Sequence, residues 1–173
     1  MHVAAKPWVA VAFLLASAAL AQPARAEPGA RPAKADRVLI LKGERRLLLF
    51  RRGQIFRSYR IALGRDPVGG KVRQGDGRTP EGRYTLDRRN GKSRFHRAIH
   101  ISYPGPEDRR RASRLGVAPG GAIMIHGLPN GFGFIGAEHA KWDWTDGCIA
   151  VTDEEIDEIW SFVDDGTPID IRP

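Results

Sequence analysis

The chain has 173 residues, a formal charge of +8 and one cysteine. That length suits a single domain, and a lone cysteine excludes a disulfide-stapled scaffold. It also argues against a zinc site, and no Gly-x-Ser-x-Gly or Walker-type spacing is present for a serine hydrolase or a nucleotide site. The arginines are scattered, with no zinc-finger or RNA-binding pattern, so no nucleic-acid partner is expected. No metal or cofactor is expected.

Residues 1–26 read as an export signal. Met1 to Lys6 is a short basic start, Trp8 to Leu20 is an apolar run, and Ala24-Arg25-Ala26 is a small-x-small cleavage site, with Ala19-Leu20-Ala21 as an earlier alternative. The apolar run is short for a membrane span, which takes about 20 residues, so membrane attachment is expected only through an uncleaved signal. The expected location is the periplasm or cell envelope. Cutting after Ala26 removes Lys6 and Arg25 and leaves 26 basic against 20 acidic residues. Outside the cell, that charge suits cell-wall polymers and lipid head groups.

Residues 27–36 read as a linker, rich in proline and glycine, ahead of a domain at 37–173. Strands follow at Arg37–Leu41 and Arg46–Phe50, and alternation from Ile55 to Leu63 predicts a third, with Ile55, Tyr59, Ile61 and Leu63 on one face. Gly64 to Pro80 is a long loop of the kind that carries function. Further strands are predicted at Arg83–Leu86 and Ala98–Ser102. Pro106 to Leu115 is a helix, with acidic residues in its first turn and Gly116 beyond its end. Gly121 to Gly127 is continuously apolar and predicts a strand buried on both faces, ending at His126. Leu128 to Trp144 is a loop. Thr152-Asp153-Glu154-Glu155 is a capping box, and Ile156, Ile159, Trp160 and Val163 make one face of a second helix. Pro168 to Ile171 closes as a strand. The elements describe a mainly β domain with two short helices.

Cys148 sits where a polar Thr145-Asp146-Gly147 turn enters an apolar segment. In an oxidising compartment structural cysteines come in pairs, so a lone thiol there points to a working nucleophile. A thiol needs a base, because the thiolate is the reactive form. Of five histidines, His126 is the first choice, since it ends an apolar strand beside Gly127; His139 is the alternative, and no role is assigned to His96 or His100.

His126-Gly127 followed by Thr145-Asp146-Gly147-Cys148 resembles the L,D-transpeptidase (YkuD-like) catalytic domain family, which is marked by His-Gly and then [Ser/Thr]-x-Gly-Cys. Thr79-Pro80-Glu81-Gly82-Arg83-Tyr84 resembles that family's Thr-Pro-x-Gly-x-Tyr stretch. Two positions depart from the pattern: Asp146 stands where a basic residue is common, and Ala150 where an arginine often stands. The Asp143-to-Thr152 spelling resembles a subgroup that includes enzymes cleaving at diaminopimelate. The resemblance implies a β-sandwich or mixed-sheet fold and an acyl transfer on peptidoglycan stem peptides. In it His126 deprotonates Cys148, the thiolate attacks the L-centre carbonyl of diaminopimelate, and a thioester forms. Gly147 and Cys148 N–H groups are oxyanion donors, and Thr145 orients His126 or the substrate. Gly127, Trp144, Asp146 and Arg97 (or Arg65) contact substrate, with Trp142 beside Trp144. A peptidoglycan hydrolase using the same pair and a non-catalytic wall-binding module are the alternatives. An envelope protein linked to peptidoglycan is a further partner the resemblance allows.

Overall fold

The computed structural model describes residues 34–173; the expected signal peptide and the linker up to residue 33 lie outside the described residues. Eight strands form one mixed sheet: β1 (Arg37–Leu41), β2 (Arg46–Arg51), β3 (Gln54–Arg60), β4 (Gly82–Asn90), β5 (Ala98–Ile101), β6 (Met124–His126), β7 (Ile149–Ala150) and β8 (Thr167–Arg172). Their order is β3-β2-β1-β8-β4-β5-β6-β7. The last strand in sequence therefore lies mid-sheet, parallel to β1 and antiparallel to β4.

The sheet curls until its ends meet. Beyond β3 the chain leaves the β2 edge, and Ala62 exchanges backbone hydrogen bonds with Ala150 of β7, at 3.0 and 2.9 Å. Gly64 then bridges to Thr145. A sheet that nearly closes encloses one core. Val38, Ile40, Leu47, Leu49, Ile61, Leu63, Leu86, Ile99, Ile125 and Ile149 are all fully buried in it. Each such side chain contributes about 1.5–3 kcal/mol relative to exposure.

Two helices cover the sheet. In α1 (Pro106–Arg114) the Asp108 carboxylate accepts from Gly105 N–H at 2.9 Å, and Gly116 stops the helix with a positive φ. In α2 (Asp153–Phe162) Thr152 Oγ1 accepts from Glu155 N–H at 3.2 Å, and the Glu155 carboxylate accepts from Thr152 N–H at 2.9 Å, so the capping box closes in both directions. Ile156, Ile159 and Val163 pack into the core. Trp160 sits at the rim, with the Arg89 and Arg97 guanidinium groups 5.1 and 5.3 Å from its ring centre.

Three expectations change. The third strand ends at Arg60, and the register of β2 against β3 shifts between Leu49 and Phe50. That bulge adds a residue and reverses the alternation. Phe56 therefore packs edge-on against Phe162 at 5.3 Å, while Ile55 is 53% exposed. The apolar run before His126 is not buried on both faces: only Met124–His126 is strand, Ile123 and Ile125 enter the core, and Met124 faces a cavity. The loop after Leu128 contains a third helical segment, a 3-10 stretch at Gly133–Lys141 broken at Gly136, where φ is 52°. No apolar periodicity announces it.

The Gly64–Pro80 loop is held by two charged side chains with almost no exposure. Lys42 Nζ donates to Gly69 O at 2.6 Å, Thr79 O at 3.1 Å and the Glu81 carboxylate at 2.7 Å. The Asp76 carboxylate accepts from Lys71 Nζ at 2.7 Å and from Val72, Arg73 and Arg78 N–H at 2.8, 3.0 and 3.1 Å. Burial alone would raise the Asp76 pKa, but these donors outweigh it and hold the group at about 2.

Candidate active site

The β6–β7 pair brings the two chemically important residues together. The strands run parallel, with Ile125 opposite Ile149 and His126 opposite Ala150. Cys148 thus stands beside Met124, one step along from His126. Because alternate residues of a strand share a face, Ile125 and Ile149 enter the core while Met124, His126 and Cys148 line one cavity of about 600 Å³. Phe95, Trp144, Thr145, Asp146 and Ala122 complete much of its wall.

His126 is 3% exposed. Its Nδ1 lies 2.7 Å from Gly127 O. A carbonyl only accepts, so Nδ1 carries the hydrogen in the neutral ring and Nε2 is the basic atom. The ring packs against Phe95 at 4.5 Å and edge-on to Trp144 at 5.7 Å. Burial pushes its pKa below the usual histidine value; the Gly127 carbonyl opposes that shift and neighbouring His139 adds to it. His126 is therefore a neutral ring at neutral pH.

Cys148 is half-buried, and its thiol donates to Ala122 O at 3.6 Å. Among the described residues it is not hydrogen-bonded to His126. Burial pushes the thiol above its ordinary range, and the Met124 N–H and the Lys71 ammonium only partly oppose this. The resting pair is a thiol and a neutral imidazole in one cavity, which suits proton transfer at the moment of attack.

The turn before Cys148 is braced from two sides. Thr145 Oγ1 donates to Cys148 O at 2.8 Å and accepts from Gly147 N–H at 3.1 Å. Thr145 thus shapes the turn, and among the described residues its hydroxyl makes no hydrogen bond to His126. The Gly147 N–H is consumed there, so of the two expected oxyanion donors only the Cys148 N–H is unclaimed by this brace. On the other side, the Gly64–Pro80 loop packs backbone to backbone against the turn. Gly147 has φ +120°, and a Cβ there would strike the Arg78 carbonyl; a Cβ on Gly64 would strike the Gly77 carbonyl and meet Gly147 Cα at 3.0 Å.

The remaining expected residues divide. Trp144 lines the cavity, and its Nε1 is buried without a partner among the described residues. Asp146 lines it too, but is exposed and ion-paired with Arg65. Gly127 serves the site through its carbonyl on His126; its own N–H donates to Arg97 O at 3.2 Å. The Arg97 side chain is turned elsewhere: its guanidinium lies 3.2 Å from the Asp157 carboxylate and over Trp160, and the structure does not bring it to the cavity. Trp142 is 57% exposed and borders a separate apolar groove with Leu128, Pro129, Phe132, Ile135, His139 and Trp144. His139 is 2% exposed there, and both of its ring nitrogens lack partners among the described residues. His96 and His100 pair with Asp157 and Asp87, at 2.9 and 2.6 Å.

Sequence reading missed the β4–β5 connection. Asn90, Lys92, Ser93, Arg94 and Phe95 all line the cavity. Their one visible signal was a basic, polar hairpin with a single aromatic residue, which periodicity cannot assign to a site.

The curled sheet thus sets a cysteine and a histidine side by side at the ends of adjacent strands, both facing one cavity. The family model of the YkuD L,D-transpeptidase catalytic domain matches residues 35–171, and the chain belongs to that family. YafK of Escherichia coli (strain K12) is 34% identical over 132 residues, which are 73% of this chain and 46% of the relative. The chain thus spans about half the length of the curated relatives it matches. Among solved structures, the helical cell shape determining protein Pgp2 from Campylobacter jejuni is similar at 25% identity with a TM-score of 0.59, covering 81% of this chain and 48% of that one. The L,D-transpeptidase from Xylanimonas cellulosilytica shares the fold at 15% identity and TM-score 0.52, covering 85% and 65%. No helix of the described residues is long and apolar enough to cross a membrane.

Proposed function

We propose that this protein is an exported cysteine acyltransferase that acts on peptidoglycan stem peptides at diaminopimelate. The observation that carries the reading is the shared cavity of Cys148 and His126, with the imidazole hydrogen held on Nδ1 by Gly127 O. In the first half-reaction the Cys148 thiol turns from Ala122 O and gives its proton to His126 Nε2. Sulfur attacks the L-centre carbonyl of diaminopimelate, whose oxygen takes the negative charge and accepts from the Cys148 N–H. The tetrahedral intermediate collapses, the bond to the neighbouring D-alanine breaks, and its amine leaves with the proton held by His126. A thioester remains. An amine or water then attacks it, His126 takes the attacking group's proton, and the thiol is restored. Export to the periplasm or cell envelope, and an envelope protein joined to peptidoglycan as a further partner, belong to the same proposal.

Tetrapeptide muropeptides incubated with and without an amine acceptor, followed by mass spectrometry, test this reading. Cys148→Ala and His126→Ala are each expected to lower turnover by a factor on the order of a thousand or more, and a carbapenem is expected to add covalently to Cys148. Dimers signify transfer. Freed D-alanine or released protein without dimers signifies hydrolysis at the same pair. Wall binding without turnover, unchanged by alkylation of Cys148, would defeat both and leave a binding module.

A further inference from the structure

The cavity and its extension past Ala122 and Asp146 are bordered by four cations, and two of them are matched. Arg65 is paired with Asp146, and Lys71 with Asp76 at 2.7 Å. Lys92 and Arg94 line the cavity from the β4–β5 connection, are exposed, and have no carboxylate partner among the described residues. The loop that carries them is nonetheless well held. Asn130 donates to Ser93 O at 3.1 Å and to Arg94 O at 2.9 Å, and its side-chain oxygen accepts from His96 N–H at 2.8 Å. Phe95, between the two cations and the strand, packs on His126 and Trp144. Unmatched positive charge is therefore presented to the cavity that Cys148 lines, by a loop whose Phe95 packs on His126.

We propose that Lys92 and Arg94 form a carboxylate subsite that seats the acyl donor. The inference rests on the peptidoglycan reading and assigns its substrate contacts. A stem tetrapeptide carries free carboxylates on both sides of the bond that Cys148 attacks: that of the diaminopimelate side chain and that of the terminal D-alanine. Arg94 offers a planar fork that can hold one carboxylate through two parallel hydrogen bonds, and Lys92 offers a point charge. Neither takes part in proton transfer, so their contribution falls on binding. Arg65 cannot serve in the same way while Asp146 neutralises it, and Arg97 lies away from the cavity.

The test uses the full chain and its Lys92→Gln and Arg94→Gln variants, with three donors: the free tetrapeptide, one amidated at the diaminopimelate side-chain carboxyl, and one ending in D-alaninamide. KM for the free donor should rise about tenfold in each variant, the scale of one charge-assisted hydrogen bond, while kcat changes less than twofold. Wild type should disfavour one amidated donor by a similar factor, and a variant should lose that preference; the donor affected names the carboxylate. Binding of the same donors to Cys148→Ala protein, with and without Arg94→Gln, is read in parallel. It judges the subsite even where turnover is absent. Unchanged KM and unchanged binding in both variants, or the same preference among donors in variants and wild type, would overturn the subsite alone. Wild type without Cys148-dependent turnover would overturn the peptidoglycan reading instead.

Discussion

The two long segments that flank the Gly147–Cys148 turn are held in different ways. Gly64–Pro80 is held by buried charge: Lys42 and Asp76 between them satisfy seven donor–acceptor pairs, and glycines let its backbone touch the Gly147 turn. Leu128–Trp144 is anchored towards its ends, by Asn130 on the 93–96 stretch and by the Asp143 carboxylate on Arg45 and Leu63 N–H, while its middle borders an apolar groove. It leaves Phe132, Phe134 and Trp142 at least half exposed, and buries His139 with both ring nitrogens unpaired among the described residues. The buried charges of the first segment are all answered, whereas the buried ring of His139 in the second is not. The first should therefore fail by losing a specific partner, and the second should tolerate or even welcome the loss of the His139 ring nitrogens.

The largest effect is expected where the first segment meets the turn. In Gly64→Ala the new methyl cannot coexist with the Gly77 carbonyl, so the loop must leave Gly147. A loss of about 4 kcal/mol in a denaturant titration is expected, together with loss of Cys148-dependent turnover. A variant as stable as wild type would mean that the backbones are not packed this closely.

Next in size is Asp76→Asn, which leaves the Lys71 ammonium buried without its counter-charge. About 3 kcal/mol should be lost at pH 7. Its pH dependence has a definite sign. Asp76 titrates at about 2 in the folded protein against 3.8 when unperturbed, so the unfolded chain takes up the proton first as pH falls. The stability it supplies is complete above about pH 4 and is lost between 3.8 and 2. Asp76→Asn should remove that acid transition; an unchanged acid limb would reassign it.

The smallest effect belongs to His139→Leu. Burial holds His139 below 6.5, so the unfolded chain binds its proton first as pH falls through that value, and acid favours unfolding. His126, also held low by burial, adds to the same window. The variant should gain about 1 kcal/mol near pH 7, because a buried pair of unpaired nitrogens is gone. Its melting temperature should also fall less steeply between pH 6.5 and 5. Destabilisation instead would show that His139 has a partner in solution.

Local chemistry was legible wherever a few neighbouring residues decide the outcome. The Thr152 capping box, the Pro106 helix start and the strands at Arg37 and Arg46 are such cases, since caps and alternation act within one turn or one pleat. Cys148 and His126 stood out as candidates because a nucleophile and a base demand particular residue types and their flanking glycines mark turns; the structure brings both to one cavity. Elsewhere the pattern pointed to residues whose polar groups the fold engages with other partners. Thr145 and Gly147 stand at the turn, but the Thr145 hydroxyl is spent on Gly147 N–H and Cys148 O. Arg97 is a cation near His126 in the sheet, but Asp157 takes it.

The sequence alone therefore determined the family and the secondary elements with strong local signals, and it singled out Cys148 and His126 as candidates. The tertiary structure decided which groups were still free to act. Whether a donor, a cation or an apolar face is available depends on partners 15 to 101 residues away, such as Thr79 for Gly64 N–H and Glu158 for Arg57. Those partners are chosen by the curl that brings Ala62 onto Ala150, and no local period encodes that closure. The pairing of β5, β6 and β7 brings Lys92 and Arg94 to the cavity that Cys148 lines, with no carboxylate partner among the described residues.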